Sequence, residues 1–287
     1  MVNFDTDAHL KEVLSSFDQC EDQRFKEIMH SVVYHLHACV SELKLSPEEW
    51  EAAIRFLTET GQICTSKRQE FILLSDLLGV STLTIGLNQH RGDHCLEETV
   101  EGPFYWEGAP EMALGSDISQ GAVGEKAYYF GRVLNSEGEP LANALLDVWS
   151  GDGEGHYDMQ SPDDDRMQAR AKIRTDAEGR YSFWSIKPNY YPIPTDGPAG
   201  KMQAKSGRHP NRPGHVHFKI SAPGYHSVNT QIFVADGPYL DTDCVFGVKQ
   251  SLIVDFVKHP AGNAPDGSYQ DAPYYTANFD FRLTESK

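Results

Sequence analysis

The chain has 287 residues, enough for one large domain or for two modest domains sharing an interface. Its 42 acidic residues against 25 basic ones give a formal charge of −17, which repels phosphate backbones and anionic membrane surfaces and argues against nucleic acid as a partner. Five cysteines (Cys20, Cys39, Cys64, Cys95, Cys244), odd in number and without a C-x-x-C pair, read as reduced thiols and speak against a disulfide frame or a zinc knuckle.

The opening MVNFDTDAHLKEV lacks the basic start and apolar run of a signal peptide, and no later stretch is apolar for long enough to span a bilayer. A cytoplasmic location without membrane insertion is therefore expected. Up to about residue 95 apolar residues recur at helical spacing, first Leu10, Val13, Leu14 and Phe17, then Phe25, Ile28, Met29, Val32, Val33 and Leu36. Ser46-Pro47-Glu48-Glu49 combines an N-cap serine, a proline at the first helical position and a glutamate at N3, so a helix carrying Trp50, Ile54 and Leu57 is predicted to start there. Another is predicted from about Lys67 through Phe71, Leu74 and Leu77 to a terminating Gly79. The apolar surplus of these helices suits a homodimer formed through them; the alternative is that they only cover the rest of the chain.

From about Ala127 the pattern changes to short β-rich runs separated by Gly, Pro and Asp clusters, as in a sandwich. YYFGRVL, NALLDVW, RYSFWSI, HVHFKIS and TQIFV are the clearest strands, with turns at NSEGEP and TDAEGR. The expected fold is mainly β: a β-sandwich domain over residues 96–287 behind an N-terminal α-helical domain over 1–95. The join at about 92–126 is irregular, and EGPFYWEGAP is its most distinctive stretch. The segments Gly151 to Ala171 and Pro188 to Pro213 are too rich in Pro, Gly and charge for strands, yet carry many aromatic and ionisable residues. Long ordered loops on a sandwich are where sites are built.

His215-Val216-His217 opens an alternating strand, and the two-residue period puts both imidazoles on one side. That spacing serves a metal chelate and a pair of hydrogen-bonded edge histidines equally well. The preceding Arg208-His209-Pro210-Asn211-Arg212-Pro213-Gly214, rigid and basic, favours the chelate. Phe218-Lys219-Ile220-Ser221 follows where a cupin-type ferrous site would want a carboxylate, and no cysteine is near for zinc. Tyrosine oxygens remain, and an anionic phenolate suits a hard trivalent ion such as Fe(III).

EGPFY (101–105), DVWSGDGEGHYDMQ (147–160), TDAEGRYSFWSIKP (175–188), YPIPTDGPAG (191–200) and GRHPNRPGHVHFKISAPGY (207–225) together resemble the intradiol ring-cleaving dioxygenases. The resemblance implies a non-haem Fe(III) held by Tyr157, Tyr191, His215 and His217, an aromatic diol or triol and O2 as substrates, and no nicotinamide or flavin. It makes Arg212 the arginine that meets the substrate ring and Gln231 a glutamine close to the metal and the oxygen path. YPIPTDGPAG resembles the hydroxyquinol-cleaving branch more than the catechol-cleaving one. In that branch the positions matching Leu73 and Asp76, one helical turn apart, line the site, and Asp76 would accept a hydrogen bond from the third ring hydroxyl of benzene-1,2,4-triol. Val100, Gly102, Pro103, Phe104, Ile193, Pro194, Cys244 and Val245 match other pocket positions, with Cys244 standing where an alanine is usual. The implied reaction places both atoms of O2 in a hydroxymuconate that exchanges with maleylacetate. The competing expectations are a catechol or chlorocatechol 1,2-dioxygenase and, from another class, a non-catalytic β-sandwich binding module.

Overall fold

The computed structural model describes residues 4–89, 96–160 and 166–286. Cys95, the start of the irregular join at 92–95 and part of the long Gly151 to Ala171 segment lie outside the described residues. The chain divides into two compact units, Met1–Glu59 and Thr60–Lys287.

The smaller unit holds α1 (Thr6–Ser15), α2 (Gln23–Leu43) and most of α3 (Pro47–Gln62). The carboxylates of Asp5 and Asp22 accept amides of the first turns of α1 and α2. Ahead of α3 the Ser46 amide donates to Glu49 Oε2 at 2.8 Å and the Glu49 amide donates to Ser46 Oγ at 3.3 Å, the reciprocal cap expected from the sequence. Ser46→Ala is expected to lower stability by about 1 kcal/mol, read as a lower denaturation midpoint at an unchanged m-value. Phe25, Ile28, Val32, Leu36, Val40 and Leu43, three or four residues apart on one face of α2, are all exposed within the chain.

In the larger unit, α4 (Glu70–Leu77) starts after the expected Lys67. Thr65 Oγ1 accepts the amides of Lys67 and Arg68, and this closes a turn ahead of the helix. The helix ends where expected, at Gly79 with φ +72°. A separate α5 (Val80–Asn88) leaves from that glycine, and the two helices bend by 78°. Among the described residues no single helix is long and apolar enough to cross a membrane. α4 packs against α6 (Pro198–Lys205) and buries Leu73, Leu74 and Leu77, so α4 and α5 share a compact unit with the sheets. The expected boundary near residue 95 marks a different property, the change from helical to strand periodicity. Periodicity tells which face of a helix is covered and not which neighbour covers it.

The strands are β1 (Glu111–Met112), β2 (Lys126–Asn135), β3 (Leu145–Ser150), β4 (Arg170–Arg174), β5 (Arg180–Ile186), β6 (Tyr191–Pro192), β7 (Asn211–Arg212), β8 (His215–Ser221), β9 (Val228–Val234), β10 (Ile253–Val254), β11 (Val257–His259), β12 (Gly262–Asn263), β13 (Tyr269–Gln270), β14 (Tyr274–Asn278) and β15 (Phe281–Leu283). One sheet runs β1-β4-β3-β8-β9-β10; the other runs β11-β14-β2-β15, with β5 also on β2. Leu146, Ile173 and Phe218 of the first sheet meet Tyr129, Phe183 and Phe281 of the second in one buried core, with Phe218 and Phe281 4.7 Å apart. The sandwich expected from the strand pattern is thus formed. Its two expected turns are closed by Asn135 and Asp176, each side-chain oxygen accepting two amides.

The expectation that both long segments lack strands needs correction. The first runs into β4, whose sequence RAKIR conceals a strand behind charged residues. The second contains β6, β7 and α6, and the last begins with Pro198 at N1.

Candidate active site

Both imidazoles of β8 face the same side of the six-stranded sheet. Trp149 of β3 lies opposite His217 on one flank and Gln231 of β9 on the other. The Trp149 ring stacks on His217 at 4.6 Å with 6° between the planes, which fixes the imidazole in rotation.

Tyr157 arrives from the loop after β3. That loop folds back because Asp152 Oδ1 accepts the amides of Glu154 and His156. It also depends on Gly155, at φ +84°, where a Cβ would lie 2.8 Å from the Tyr191 Cβ. Tyr191 is placed by the ribbon of β6 and β7, in which it pairs with Arg212. Its neighbour Tyr190 points elsewhere, exposed and 5.2 Å from the Tyr239 ring.

Tyr157, Tyr191, His215 and His217 are all buried. Tyr157 Oη is 3.3 Å from His215 Nε2 and 3.1 Å from His217 Nε2, and the two Nε2 atoms are 3.1 Å apart. The Tyr191 ring lies 5.3 Å from that of Tyr157 and 5.7 Å from that of His215. His215 Nδ1 donates to the Pro213 carbonyl at 2.8 Å, so His215 Nε2 turns a lone pair toward the shared point. Burial, then the Arg212 charge, pushes His215 down to about 3, and burial with the neighbouring His215 and Arg212 carries His217 well down as well. Burial raises both phenols, a rise that the Arg212 charge opposes.

Two neutral imidazoles and two phenols converge, and they hold more lone pairs than protons to share. A small multivalent cation satisfies such a set, and it would draw the phenols to their anionic form. Among the described residues no three His, Cys, Asp or Glu side chains form a metal site, so the donor set is complete only with the tyrosines.

Known proteins carry the same arrangement of chain. A model of the "Dioxygenase" family matches residues 100–284, and one of "Catechol dioxygenase N terminus" matches residues 22–94. A hydroxyquinol 1,2-dioxygenase of Nocardioides simplex is 45% identical over 275 residues, covering 96% of this chain and 94% of its own. A 6-chlorohydroxyquinol 1,2-dioxygenase of Cupriavidus pinatubonensis is 44% identical, covering 99% of both chains. The crystal structure of hydroxyquinol 1,2-dioxygenase from Pseudomonas putida DLL-E4 superposes with a TM-score of 0.88 at 43% identity, covering 98% of this chain and 99% of that one.

The chain belongs to the intradiol ring-cleaving dioxygenases.

It is therefore an enzyme, and the non-catalytic module expected as a rival is set aside. In this dioxygenase Arg212, buried beside the tyrosine–histidine cluster, donates from Nη1 to His215 Nε2 at 3.1 Å and from Nη2 to Gln231 Oε1 at 3.0 Å. Gln231 in turn donates to the Val100 carbonyl. Both ends of the Gln231 amide are thus engaged, which makes it a link between Val100 and the arginine. Gly102, at φ +73°, lies against the His217 ring, where a Cβ would sit 3.7 Å from Cε1.

A cleft of about 500 Å³ adjoins this cluster at Phe104. Leu73, Pro103, Phe104 and Pro194 line it, joined by Met159 and Gln160. Phe104 stacks on Tyr157 at 4.5 Å and closes the inner end. Asp76, Val100, Gly102, Ile193, Cys244 and Val245 are not on its wall. Ile193 is buried, Cys244 Sγ points to the Pro210 carbonyl at 3.3 Å, and the Val245 carbonyl accepts Thr82 Oγ1 at 3.1 Å.

Asp243 is the functional residue that the sequence did not single out. It holds Arg212 through Oδ1 to Nε at 3.0 Å and Oδ2 to Nη2 at 3.1 Å. Despite its burial, the guanidinium keeps the Asp243 carboxyl below its ordinary range. Its only signal was its place directly before the expected pocket residues Cys244 and Val245.

Proposed function

We propose that this dioxygenase cleaves hydroxyquinol, benzene-1,2,4-triol, between its two adjacent hydroxylated carbons, using Fe(III) held by Tyr157, Tyr191, His215 and His217. The product is 3-hydroxy-cis,cis-muconate, in exchange with maleylacetate, within aromatic catabolism. The carrying observation is a buried cluster in which Tyr157 Oη and the Nε2 atoms of His215 and His217 lie 3.1 to 3.3 Å from one another, with the Tyr191 ring 5.3 Å from that of Tyr157 and 5.7 Å from that of His215. When bound there, Fe(III) supplies a Lewis acid for the two adjacent substrate oxygens. The Oη atoms of Tyr157 and Tyr191, raised by burial, are basic enough to hold protons released from those hydroxyls. Arg212, oriented by Asp243, places a fixed positive charge beside the ring as negative charge builds up. Phe104, which lines the cleft, and the buried Ile193 and Val245 keep water from the cluster. Both O2 atoms enter the product, so no external reductant is needed.

The choice of the triol is supported by the named relatives and by Asp76. Its side chain is buried, and its Oδ1 has no hydrogen-bond partner. The charges of Arg212 and Asp243 both act on it, which supports a position on the arginine's side of the site. A third ring hydroxyl donating to Oδ1 would satisfy the orphan, whereas catechol would leave it buried and bare, a difference of about 1–3 kcal/mol or roughly fivefold to 150-fold in kcat/KM. Burial pushes the Asp76 carboxyl up to about 6. The ionised acceptor therefore forms as pH rises through that value, and the triol-to-catechol ratio should climb between about pH 5 and about pH 7. Asp76→Ala should flatten the climb and lower the ratio at neutral pH. A wild-type preference for catechol would move the chain to the catechol-cleaving reading, and a ratio indifferent to Asp76→Ala would remove Asp76 from substrate choice.

A homodimer through the N-terminal helices and a cytoplasmic location belong to the same reading. The exposed apolar face of α2 supports the dimer, and sedimentation velocity tests it.

A further inference from the structure

Arg170, at the start of β4, is 1% exposed and is one of the largest fully buried side chains in the protein. A lone guanidinium in such a place is costly, and this one is fully engaged. Its Nε donates to Asp158 Oδ2 at 2.6 Å, and its Nη2 donates to Asp158 Oδ1. Nη1 and Nη2 both reach the Phe104 carbonyl at 3.3 Å. The Trp106 ring lies 5.8 Å from its Cζ. Asp158 uses its remaining capacity on the backbone, Oδ1 accepting the Met159 amide at 2.8 Å and Oδ2 the Gln168 amide at 3.0 Å.

These bonds close on both sides of one side chain. Asp158 follows Tyr157 directly in the chain, and the Phe104 ring is stacked on Tyr157 at 4.5 Å. Arg170 therefore holds the backbone that carries the phenol and also the residue that covers the phenol's face. Neither Arg170 nor Asp158 lines the 500 Å³ cleft, and no hydrogen bond joins either of them to the other three ligand residues. A pair placed for general stability has no reason to grip these two segments and leave the rest of the site alone.

We propose that Arg170 and Asp158 form a buried positioning pair for Tyr157, fixing its phenol between the Phe104 ring and the two histidines and setting the charge that the phenolate experiences. This rests on the reading that Tyr157 is an Fe(III) ligand. The pair is a compensated couple, so removing either member changes the local charge in opposite directions. Loss of the guanidinium leaves a nearby carboxylate, which raises the filled phenolate orbital and lowers the energy of phenolate-to-Fe(III) charge transfer. Loss of the carboxylate leaves a nearby cation and does the reverse.

The experiment compares visible spectra and steady-state kinetics of the iron-replete wild type, Tyr157→Phe, Arg170→Met, Arg170→Lys and Asp158→Asn. Arg170→Met should move the band to longer wavelength and Asp158→Asn to shorter wavelength. In both, kcat should fall about tenfold or more with KM less affected, since neither substituted side chain lines the cleft. Arg170→Lys, which restores charge without the planar fork, should return the band toward the wild-type position with only part of kcat. Where Arg170→Met fails to fold, the Asp158→Asn and Arg170→Lys spectra decide. A band that vanishes in Tyr157→Phe yet stays in place in the folded pair variants overturns the positioning role and leaves the ferric reading standing. A wild type without any such band overturns both.

Discussion

Replacing Asp243 by alanine is expected to lower the stability of the protein by about 3–5 kcal/mol and to abolish most of its turnover. Arg212 is 2% exposed and Asp243 6%, so neither charge is solvated, and each is tolerable only because the other is present. The pair is joined by two charge-assisted bonds at 3.0 and 3.1 Å, and Asp243 also accepts the amides of Val245 and Gly247 at 3.3 and 3.0 Å. Alanine removes both acceptor oxygens, and with them four hydrogen bonds, and strands a buried guanidinium, whose other strong partners are a histidine ring nitrogen and the Gln231 amide oxygen. Freed from Asp243, Arg212 shifts, and the charge it offers the reacting ring shifts with it. Asp243→Asn separates the two effects. It keeps the shape and one acceptor oxygen, so the fold is retained to a greater degree, while turnover still falls on the order of 100-fold because the arginine is no longer held in register. Urea denaturation and kcat/KM on the two variants check this. An alanine variant within about 1 kcal/mol of wild type would show that Arg212 finds another counter-charge.

The difference between Arg212 and Asp243 shows what could be read in the sequence. Arg212, His215 and His217 lie within six residues of one another, so a local motif exposes them as a group. Asp243 is 31 residues further on, in an irregular stretch, and is brought to Arg212 only by the approach of the 243–247 turn to β7. The sandwich was legible because β2, β3, β5, β8 and β9 alternate or run apolar. β4 was not, since two of its arginines and a lysine mask its alternation, and one of those arginines turned out to be the buried Arg170. Tyr191 could be chosen over Tyr190 only through family resemblance. The physical reason for the choice, the pairing of Tyr191 with Arg212 across β6 and β7, exists only in the folded chain. The engagement of both ends of Gln231 was hidden for the same reason.

The two histidines proposed as ligands should also govern how the metal-free protein responds to acid. In the fold, burial and the Arg212 charge hold His215 at about 3 against an ordinary value of 6.5, and His217 is carried down as well. In the unfolded chain both return to ordinary behaviour. Between pH 6.5 and about 3 the unfolded state therefore binds protons that the native state refuses, and stability falls as pH falls, by about 1.4 kcal/mol per pH unit for His215 once the pH is well below its unfolded value, with His217 acting in the same direction. Above 6.5 both states are neutral at these positions, and the contribution vanishes. Asp76 acts with the opposite sign: its carboxyl, at about 6 in the fold, takes up a proton before the unfolded chain does, so it adds stability as pH falls from about 6 toward 3.8. Two histidines outweigh one aspartate, and the net slope of the metal-free protein between about pH 6 and about pH 4 should be a loss of stability on acidification. Replacing both histidines with glutamine should remove that loss and leave the Asp76 gain visible, while also abolishing retention of iron, since two of four ligands are gone. Unfolding midpoints of the metal-free wild type and the double variant across this range decide the matter. Equal slopes in the two proteins would mean that the histidines are not held neutral by the fold, and that the ligand pocket admits water when the metal is absent.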